Sequence, residues 1–293
     1  MDPPIVRLAP AKLNLYLRVV GRRADGYHLL DSLVAFCDVA DRVAVEPASD
    51  LRLTIDGPFA AALAGTDPAD NLAWRAARAL AGRAGVSPRA AIRLTKNLPV
   101  ASGIGGGSAD AAATLRALVD LWRVALPPEE LFDIAAGLGA DVPMCLAGRA
   151  THVSGVGEIL AAVPPLPDCA VLLVNPDTPL PTPAVFADFA ASRGDTAYSR
   201  PTAVDDRFDD CASLGRAIAA RGNDLTMAAR RLAPGIGEVL DVLAATGGAR
   251  VAAMSGSGAT CFALYDDVAT AARAGAEIAT GWPGWWCAAG RLA

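Results

Sequence analysis

Residues 98–115 read L-P-V-A-S-G-I-G-G-G-S-A-D-A-A-A-T-L, a glycine-rich turn between a strand-like run at 91–95 and a helical run that opens near Ser108. The four glycines, at positions 103, 105, 106 and 107, let the backbone adopt positive φ and approach a ligand closely. The first turn of the helix offers unpaired N–H groups at the positive end of its dipole. Together these features predict an anion site, most simply one for phosphate.

Two familiar glycine motifs do not match this loop. A P-loop requires a lysine after its last glycine, and no lysine follows these glycines. A dinucleotide fingerprint requires G-x-G-x-x-G; Gly103 and Gly105 have the first spacing, but Ser108 stands where the third glycine belongs. A merely flexible connection between strand and helix is the alternative, yet it would not need four glycines followed by a regular helix.

Composition restricts the class of protein. A length of 293 residues permits one large or two ordinary domains. A hydrophobic content of 53% with 19% charged residues indicates a folded chain. No apolar run approaches the roughly 20 residues that span a bilayer, and the first ten residues do not resemble a signal peptide. The net charge of −5 and a pI near 5.1 argue against nucleic acid as a partner. We therefore expect a cytoplasmic protein without a membrane partner.

The cysteines and histidines do not have the spacing of a metal site. The six cysteines are scattered and never form C-x-x-C, and the chain has two histidines. This pattern argues against zinc. Cys37, Cys145 and Cys261 lie in apolar runs, so we interpret them as buried and reduced, in keeping with a cytoplasmic location.

Lysine is rare in this chain. Of its 26 basic residues only Lys12 and Lys96 are lysines. Because arginine replaces lysine almost everywhere else, the two lysines that remain suggest that a compact ammonium group is needed at those positions. Both lie beside segments that other features also single out.

Periodicity predicts strands and helices in mixed order, which favours an α+β fold. Asp188 to Gly215 is polar and is expected to be a mobile loop, and the prolines at 163–167 mark the expected domain boundary. The predicted strands are 13–19 (half-buried), 29–36, 43–45, 51–55, 91–95, 142–147, 150–153, 170–174, 250–254 and 260–265. The predicted helices are 71–84, 108–122, 129–138, 224–232, 236–245 and 269–280.

Three further segments carry candidate chemistry. In A-P-A-K-L-N-L, residues 9–15, period two places Lys12 and Asn14 on one face of a strand. A lysine on a buried face needs a partner, and a solvent-facing lysine on an edge strand is the alternative. In G-A-D-V-P, residues 139–143, Asp141 lies between a helix end and an expected strand; it is either a functional carboxylate or a capping or turn aspartate. M-S-G-S-G-A-T, residues 254–260, allows close backbone approach or forms a plain hairpin turn.

Taken together, these segments resemble the GHMP kinase superfamily over nearly the whole chain. The most specific elements are D-G-Y-H at 25–28 and G-A-D-V-P, since the glycine loop would fit any member. The resemblance implies a two-domain α+β fold, with a ribosomal-protein-S5-domain-2-like N-terminal domain at 1–163 and a ferredoxin-like C-terminal domain at 164–293. It implies an ATP-dependent kinase that phosphorylates a hydroxyl group of a small cytidine diphosphate alcohol in isoprenoid precursor synthesis, as a monomer or weak homodimer.

The resemblance also implies roles for single residues. Asp141 matches the catalytic base and Lys12 the lysine that accompanies it, while Asn14 orients the substrate. Tyr27 and His28 match residues that hold cytosine, with His28 reading its edge. Phe186 matches an aromatic residue that stacks on the other face of the base, and Thr182 lies nearby. His152 is interpreted as structural.

The implied ATP site is the glycine loop, with Lys96 near the nucleotide. Its residues are Pro99, Val100, Ala101, Ser102, Gly103, Ile104, Gly105, Gly106, Gly107, Ser108 and Ala109. Mg²⁺ is expected with ATP. The superfamily loop usually ends in two serines, and Ala109 replaces the second, so Ser108 or water would have to serve as the metal ligand.

Two other functions remain open on sequence. Another GHMP kinase, acting on homoserine or mevalonate, would share the glycine loop but would not require Tyr27 and His28. A nucleotide-sensing module that lost catalysis would be expected to lose Lys12 or Asp141, and both are present.

Overall fold

The computed structural model describes residues 3–194, 197–201 and 207–293, which form ten strands and nine α-helices. Short 3₁₀ helices cover Ala60–Leu63 and Pro68–Asp70. The strands are β1 (Ile5–Arg22), β2 (His28–Glu46), β3 (Leu51–Asp56), β4 (Ala90–Thr95), β5 (Thr151–Gly155), β6 (Ile159–Ala162), β7 (Ala170–Asn175), β8 (Val251–Met254), β9 (Cys261–Tyr265) and β10 (Trp286–Arg291). The helices are α1 (Leu72–Ala84), α2 (Gly106–Trp122), α3 (Pro128–Leu138), α4 (Val142–Ala147), α5 (Thr182–Arg193), α6 (Cys211–Arg221), α7 (Thr226–Leu232), α8 (Gly235–Ala245) and α9 (Val268–Gly281).

The described chain divides into two compact units that are not contiguous in sequence. Unit 1 contains residues 3–11, Ala40–Val100 and Gly105–Gly148. Unit 2 contains Lys12–Val39, Ala101–Ile104 and the described part of Arg149–Ala293. The boundary expected at 163–164 stays a prediction.

Unit 1 combines a small sheet with four helices. The later residues of β2 pair antiparallel with β4, with Val43 opposite Leu94, and β3 pairs parallel with β4. Helix α1 packs on α2, and α2 packs on α4. Asn71 begins α1 because its side chain accepts a hydrogen bond from the N–H of Ala73 at 2.9 Å, and Gly85 ends the helix in the left-handed conformation. The core of the unit includes Leu80, Ile92, Leu94, Leu98, Leu115 and Leu118.

Unit 2 is built on an antiparallel sheet in the order β10-β7-β9-β8. Strand β7 is buried along its whole length, as its continuous apolar run predicts. Helix α9 packs on β7, and α8 packs on β8 and β9. In the same unit the early residues of β2 pair with β5, and β5 pairs with β6. The main cluster of buried side chains includes Leu172, Val174, Ile236, Val239, Leu243 and Tyr265.

Strand β1 confirms the predicted strand at 13–19 but corrects its environment. It is longer than predicted and pairs with β2. Both of its faces are buried: Leu13 and Leu15 on one, Lys12 and Asn14 on the other. The half-buried interpretation was wrong because alternation of apolar and polar residues shows which side chains share a face, and not whether the polar face is solvated.

Two predicted strands differ from the structure. Residues 43–45 are the end of the long strand β2 and not a separate strand. Residues 142–147 form helix α4, with Pro143 in its first turn. A run of six residues that is mainly apolar fits a buried strand or a short helix equally well, and proline at a helix start is the feature that favours the helix.

The expected loop at 188–215 is wrong at both ends. Its first residues belong to α5 and its last to α6, which begins with a capping box between Asp210 and Ser213. Residues 195–196 and 202–206 of this expectation lie outside the described residues. Strands β6 and β10 and helices α5 and α6 had no predicted counterpart.

The predicted strand at 29–36 is the first part of β2, which continues to Glu46. The other predicted helices and strands are confirmed within a few residues, and the fold is α+β as expected. Cys37, Cys145 and Cys261 are buried, and none of the six cysteines, all of which lie in the described residues, forms a disulfide. Within the described residues, none of the helices has the length and apolar character needed to cross a membrane.

Candidate active site

In unit 1, the N-terminus of α2 has the features of an anion site. Gly105 precedes the helix at φ +66°, and it has no side chain that could cap the first turn. Gly106, Gly107 and Ser108 follow, with no acidic residue among them to compete with a bound anion. The helix begins two residues earlier than predicted, so the glycines themselves carry the free N–H groups. This arrangement suits phosphate.

In unit 2, the segment Ala101–Ile104 is held by backbone hydrogen bonds. The N–H of Lys12 donates to the carbonyl oxygen of Ile104 at 2.9 Å, and the N–H of Thr260 donates to that of Ser102 at 3.1 Å. The hydroxyl of Ser255 donates to the carbonyl oxygen of Gly103 at 3.1 Å. This half of the loop is therefore fixed by β1 and by the turn 255–260.

The glycines of this turn permit the contact. A Cβ atom placed on Gly103 would lie 2.5 Å from the carbonyl oxygen of Gly258, and one on Gly256 would lie 3.0 Å from that of Gly103. The first distance is too short for a side chain, and the second is tighter than most Cβ contacts in proteins. The close backbone approach predicted for M-S-G-S-G-A-T is confirmed, and a plain hairpin turn does not describe it.

Lys12 is buried on β1, only 6% exposed, so it is not a solvent-facing lysine. Its Nζ donates to Oδ1 of Asn14 at 2.8 Å. The amide of Asn14 donates to Oγ of Ser32 at 2.8 Å, and Ser32 donates to the carbonyl oxygen of Tyr16 at 2.6 Å. This chain of hydrogen bonds fixes the ammonium and the amide together on one face of the strand, as period two predicts.

The residues expected to hold a flat base gather around Phe186. The rings of His28 and Phe186 are stacked, with centroids 5.1 Å apart and planes at 24°. Phe189, one turn further along α5, contacts the His28 ring edge-on at 5.8 Å. Tyr27 is 66% exposed. The structure thus brings His28 and Phe186 together, whereas the expected sandwich of a base between Tyr27 and Phe186 stays a prediction.

His28 has the properties of a neutral hydrogen-bonding group. Burial lowers its pKa below 6.5, and the positive charges of Arg22 and Arg193 lower it further. Its Nε2 atom is buried and has no hydrogen-bond partner among the described residues. A ligand that supplies such a partner would satisfy this atom.

Thr182 is the first residue of α5, and its hydroxyl lies 2.8 Å from that of Ser257 in the turn 255–260. Either group can be the donor. This contact brings the predicted substrate residue Thr182 to the same turn that holds Gly103.

Asp141, in unit 1, lies in the short turn between α3 and α4 and is half-buried. It precedes the first residue of α4, yet its side chain makes no capping hydrogen bond to that helix. Its backbone carbonyl accepts the N–H of Cys145 at 3.1 Å. The capping interpretation is therefore not what the structure shows, while the catalytic role of Asp141 beside Lys12 stays a prediction.

Lys96, also in unit 1, is buried between two carboxylates. Its Nζ donates to Asp110 at 2.8 Å and to Asp41. Burial acts to lower the pKa of Lys96, but the charges of Asp110 and Asp41 outweigh it and raise the pKa, so the ammonium stays protonated. His152, in unit 2, likewise hydrogen-bonds a buried aspartate, Asp31, at 2.8 Å, in keeping with its structural interpretation.

The described residues contain no cluster of three His, Cys, Asp or Glu side chains that could hold a metal ion. Mg²⁺ bound with ATP does not need such a cluster, because phosphate and water supply most of its ligands. The hydroxyl of Ser108, half-buried in the first turn of α2, fits as one protein ligand.

Sequence reasoning missed several residues that support the site. Phe189 could have been found, because a second phenylalanine three residues after Phe186 lies on the same helix face. Ser255 and Ser257 lie in the segment 254–260 that the sequence singles out, but no pattern indicates the contacts of their side chains or of Ser32, since the partners come from distant parts of the chain.

Comparisons with known proteins identify the family of this chain. Residues 71–149 match the family model for the N-terminal domain of GHMP kinases, and residues 208–284 match that for the C-terminal domain. The 4-diphosphocytidyl-2-C-methyl-D-erythritol kinase of Paramagnetospirillum magneticum is 49% identical over 97% of both chains. The crystal structure of a 4-(cytidine 5'-diphospho)-2C-methyl-D-erythritol kinase matches with a TM-score of 0.81 at 36% identity, over 98% of each chain.

A more distant structure shows the same fold without the same sequence. Homoserine kinase from Cytophaga hutchinsonii matches with a TM-score of 0.69 at 19% identity, over 99% of this chain and 95% of that one. At this identity the likeness is one of fold alone. The two family models and the full-length relatives together show that this chain belongs to the GHMP kinase family, alongside its 4-diphosphocytidyl-2-C-methyl-D-erythritol kinases.

Proposed function

We propose that this protein is the ATP-dependent kinase that phosphorylates the 2-hydroxyl group of 4-diphosphocytidyl-2-C-methyl-D-erythritol in the non-mevalonate route to isoprenoid precursors. The observation that carries the proposal is the 49% identity, over 97% of both chains, to a kinase named for that substrate. The buried pair of Lys12 and Asn14 and the stack of His28 on Phe186 supply the groups that such a substrate requires.

Phosphoryl transfer requires positioning, charge neutralisation and a base for the attacking hydroxyl group. In our proposal Asp141 accepts the proton of that hydroxyl. Lys12 stabilises the negative charge that develops in the transition state, and Asn14 fixes its ammonium through the 2.8 Å hydrogen bond.

The glycine loop, residues 99–109, binds the phosphates of ATP in this proposal. The N–H groups at the start of α2 face the anion, and no side chain caps them in the described part of the chain. Mg²⁺, when bound with ATP, neutralises phosphate charge, and Ser108 together with water would hold it. Ala109 cannot, because it lacks an oxygen in its side chain.

The cytosine ring packs in the proposal against the aromatic group of Tyr27, His28 and Phe186. The pKa of His28, lowered by burial, Arg22 and Arg193, keeps its imidazole neutral near pH 7. A neutral imidazole can both donate and accept a hydrogen bond, so it can read the edge of a base. Thr182, beside Ser257, completes the proposed substrate site.

The cellular setting is also proposed. We place the protein in the cytoplasm, working as a monomer or weak homodimer on a small substrate, without nucleic acid as a partner. The excess of negative charge, −5, supports the last point. Residues 1–163 and 164–293 remain our proposed division into N-terminal and C-terminal domains.

A substrate panel tests the proposal. The purified protein is incubated with ATP and Mg²⁺ and with 4-diphosphocytidyl-2-C-methyl-D-erythritol, homoserine or mevalonate, and ADP release is followed. We expect turnover only with the cytidine-bearing alcohol. Turnover with homoserine or mevalonate would assign a different GHMP kinase activity, and ATP binding without any turnover would indicate a nucleotide-sensing module.

A further inference from the structure

A buried ionic cluster in unit 1 lies next to the glycine loop and takes no part in the proposed reaction. It consists of Asp41 on β2, Lys96 after β4 and Asp110 on α2, and each is at most 3% exposed. One ammonium group thus faces two carboxylates, at 2.8 Å from Asp110 and in direct contact with Asp41. A buried ionic group is costly unless its geometry is well satisfied, so the arrangement points to a specific use.

The cluster contacts the chain on both sides of the loop. On the side that enters it, Oδ1 of Asp41 accepts the N–H groups of Asn97 at 2.6 Å and Leu98 at 2.8 Å. On the side that leaves it, Asp110 belongs to the second turn of α2, whose first residue is Gly106. Lys96 joins the two carboxylates, and therefore the two flanking segments.

The start of α2 lies directly against this cluster. A Cβ atom placed on Gly106 would lie 3.4 Å from Nζ of Lys96 and 3.6 Å from Oδ2 of Asp41. The first helical residue therefore lies close to the ammonium and the carboxylate, with room for no more than a small side chain between them.

The pKa of the buried Asp110 carboxyl group depends on the positive charge of Lys96. Burial raises the pKa of Asp110 to about 7, and the positive charge of Lys96 acts in the opposite direction. Oδ1 of Asp110 is buried and has no hydrogen-bond partner among the described residues, while Oδ2 accepts the hydrogen bond from Lys96. Without the ammonium, two buried carboxylates would face each other.

We infer that Asp41, Lys96 and Asp110 are positioning residues, which fix the N-terminus of α2 relative to the segment 97–98 so that ATP meets a preformed phosphate site. This inference rests on the proposed function of the glycine loop. In it Lys96, which is 3% exposed, acts through the cluster, since two of its three ammonium donors are directed to the carboxylates of Asp41 and Asp110.

Two variants test the inference. Asp110→Ala removes the link to α2 but keeps the pair of Lys96 with Asp41, and Lys96→Met removes the charge but keeps the length of the side chain. Asp120→Ala, an exposed carboxylate on the same helix paired with Arg7, is the matched control. The Kd of ATP is measured by calorimetry, and the Kd of CDP is measured on the same samples, with Tm as the check of folding.

We expect both variants to raise the Kd of ATP about 10-fold or more, since a displacement of about 1 Å in a positioned site can cost ~100-fold in rate. The Kd of CDP stays within about twofold, and Asp120→Ala changes neither value. If Lys96→Met does not fold, Asp110→Ala alone decides the question.

Two results would overturn the inference. Unchanged ATP affinity in Asp110→Ala together with a loss in Lys96→Met would show that Lys96 contacts the nucleotide directly. Equal losses of ATP and CDP affinity would show a general effect on folding. If the unmodified protein binds ATP but turns over none of the alcohols, the proposed function fails, and the ATP affinities of the variants still test the cluster.

Discussion

At the scale of single residues, the proposed chemistry depends on one carboxylate, that of Asp141. Asp141→Asn keeps the size of the side chain but removes the base. We expect kcat to fall by about 10²–10⁴-fold, the usual contribution of general base catalysis, while ATP binding and Tm stay unchanged. Steady-state kinetics and calorimetry measure these effects.

The control for this variant is Asp133→Asn. Asp133 is an exposed aspartate on the preceding helix α3. It makes the same chemical change in the same unit without touching the turn at 139–143. Near-normal kcat in Asp141→Asn, or an equal loss in both variants, would contradict the assignment of the base.

His28 gives a second prediction, on pH. Its folded-state pKa lies below 6.5 because of burial, Arg22 and Arg193, so the folded protein resists its protonation. The contribution of His28 to stability is therefore present above pH 6.5 and is lost as the pH falls through the folded pKa. We expect its NMR titration midpoint below 6.5, and we expect Arg193→Gln to move it upward.

Two features make this titration decisive. The chain has only one other histidine, His152, so His28→Gln assigns both signals. Arg200→Gln, an exposed arginine on the segment that follows α5, is the matched control and leaves the midpoint unchanged. A midpoint at or above 6.5 in the unmodified protein would refute the neutral imidazole.

Residue patterns predicted part of the site and could not predict the rest. Period two placed Lys12 and Asn14 on one face of a strand, and the structure confirms their contact. The partners that fix them are Ser32 and Ser255, the latter accepting the N–H of Asn14 at 3.1 Å. Such contacts depend on the three-dimensional fold, so no local pattern in the sequence could reveal them.

At the scale of elements, the glycine loop and the start of α2 form the proposed phosphate site. Gly106→Val places a branched side chain where the backbone must approach phosphate and where Lys96 lies 3.4 Å away. We expect ATP binding to be abolished, with CDP binding retained. Calorimetry with each nucleotide measures both.

Gly82→Val is the control for this change. Gly82 lies within α1 of the same unit, and a Cβ atom there would meet nothing within 4 Å. The Gly82→Val variant therefore makes the same change in helix propensity, but at a position where the new side chain has open space around it. If Gly106→Val binds ATP normally, the loop has another function.

Elements with a strong period and clear end signals were predictable, and short apolar ones were not. Helix α1 has both, with Asn71 before it and Gly85 after it. The sequence predicts a strand where helix α4 lies, because six residues are too few to show a period. Helix α5 was missed because alanines and phenylalanines are spread around it without a clear polar face.

At the scale of the whole molecule, the sequence predicted the α+β class, and the comparisons support the family. The two compact units were not predictable, because each is assembled from three separated segments. Strands β1 and β2 contribute residues to both units.

The central claim is that the protein is a kinase selective for a cytidine-bearing alcohol. Stacking on aromatic rings contributes roughly 1–3 kcal/mol per base and accepts any base, so selectivity must come from hydrogen bonds. His28 stacks on Phe186 and keeps a buried Nε2 without a partner in the described residues, which makes it our proposed reader of the base edge.

The most direct test compares kcat/KM for 4-diphosphocytidyl-2-C-methyl-D-erythritol with that for its uridine analogue. We predict a much higher value for the cytidine compound, a smaller difference in His28→Ala, and weaker binding of both compounds in Phe186→Ala. Equal kcat/KM for the two compounds in the unmodified enzyme would contradict the cytosine site and favour a different GHMP kinase activity.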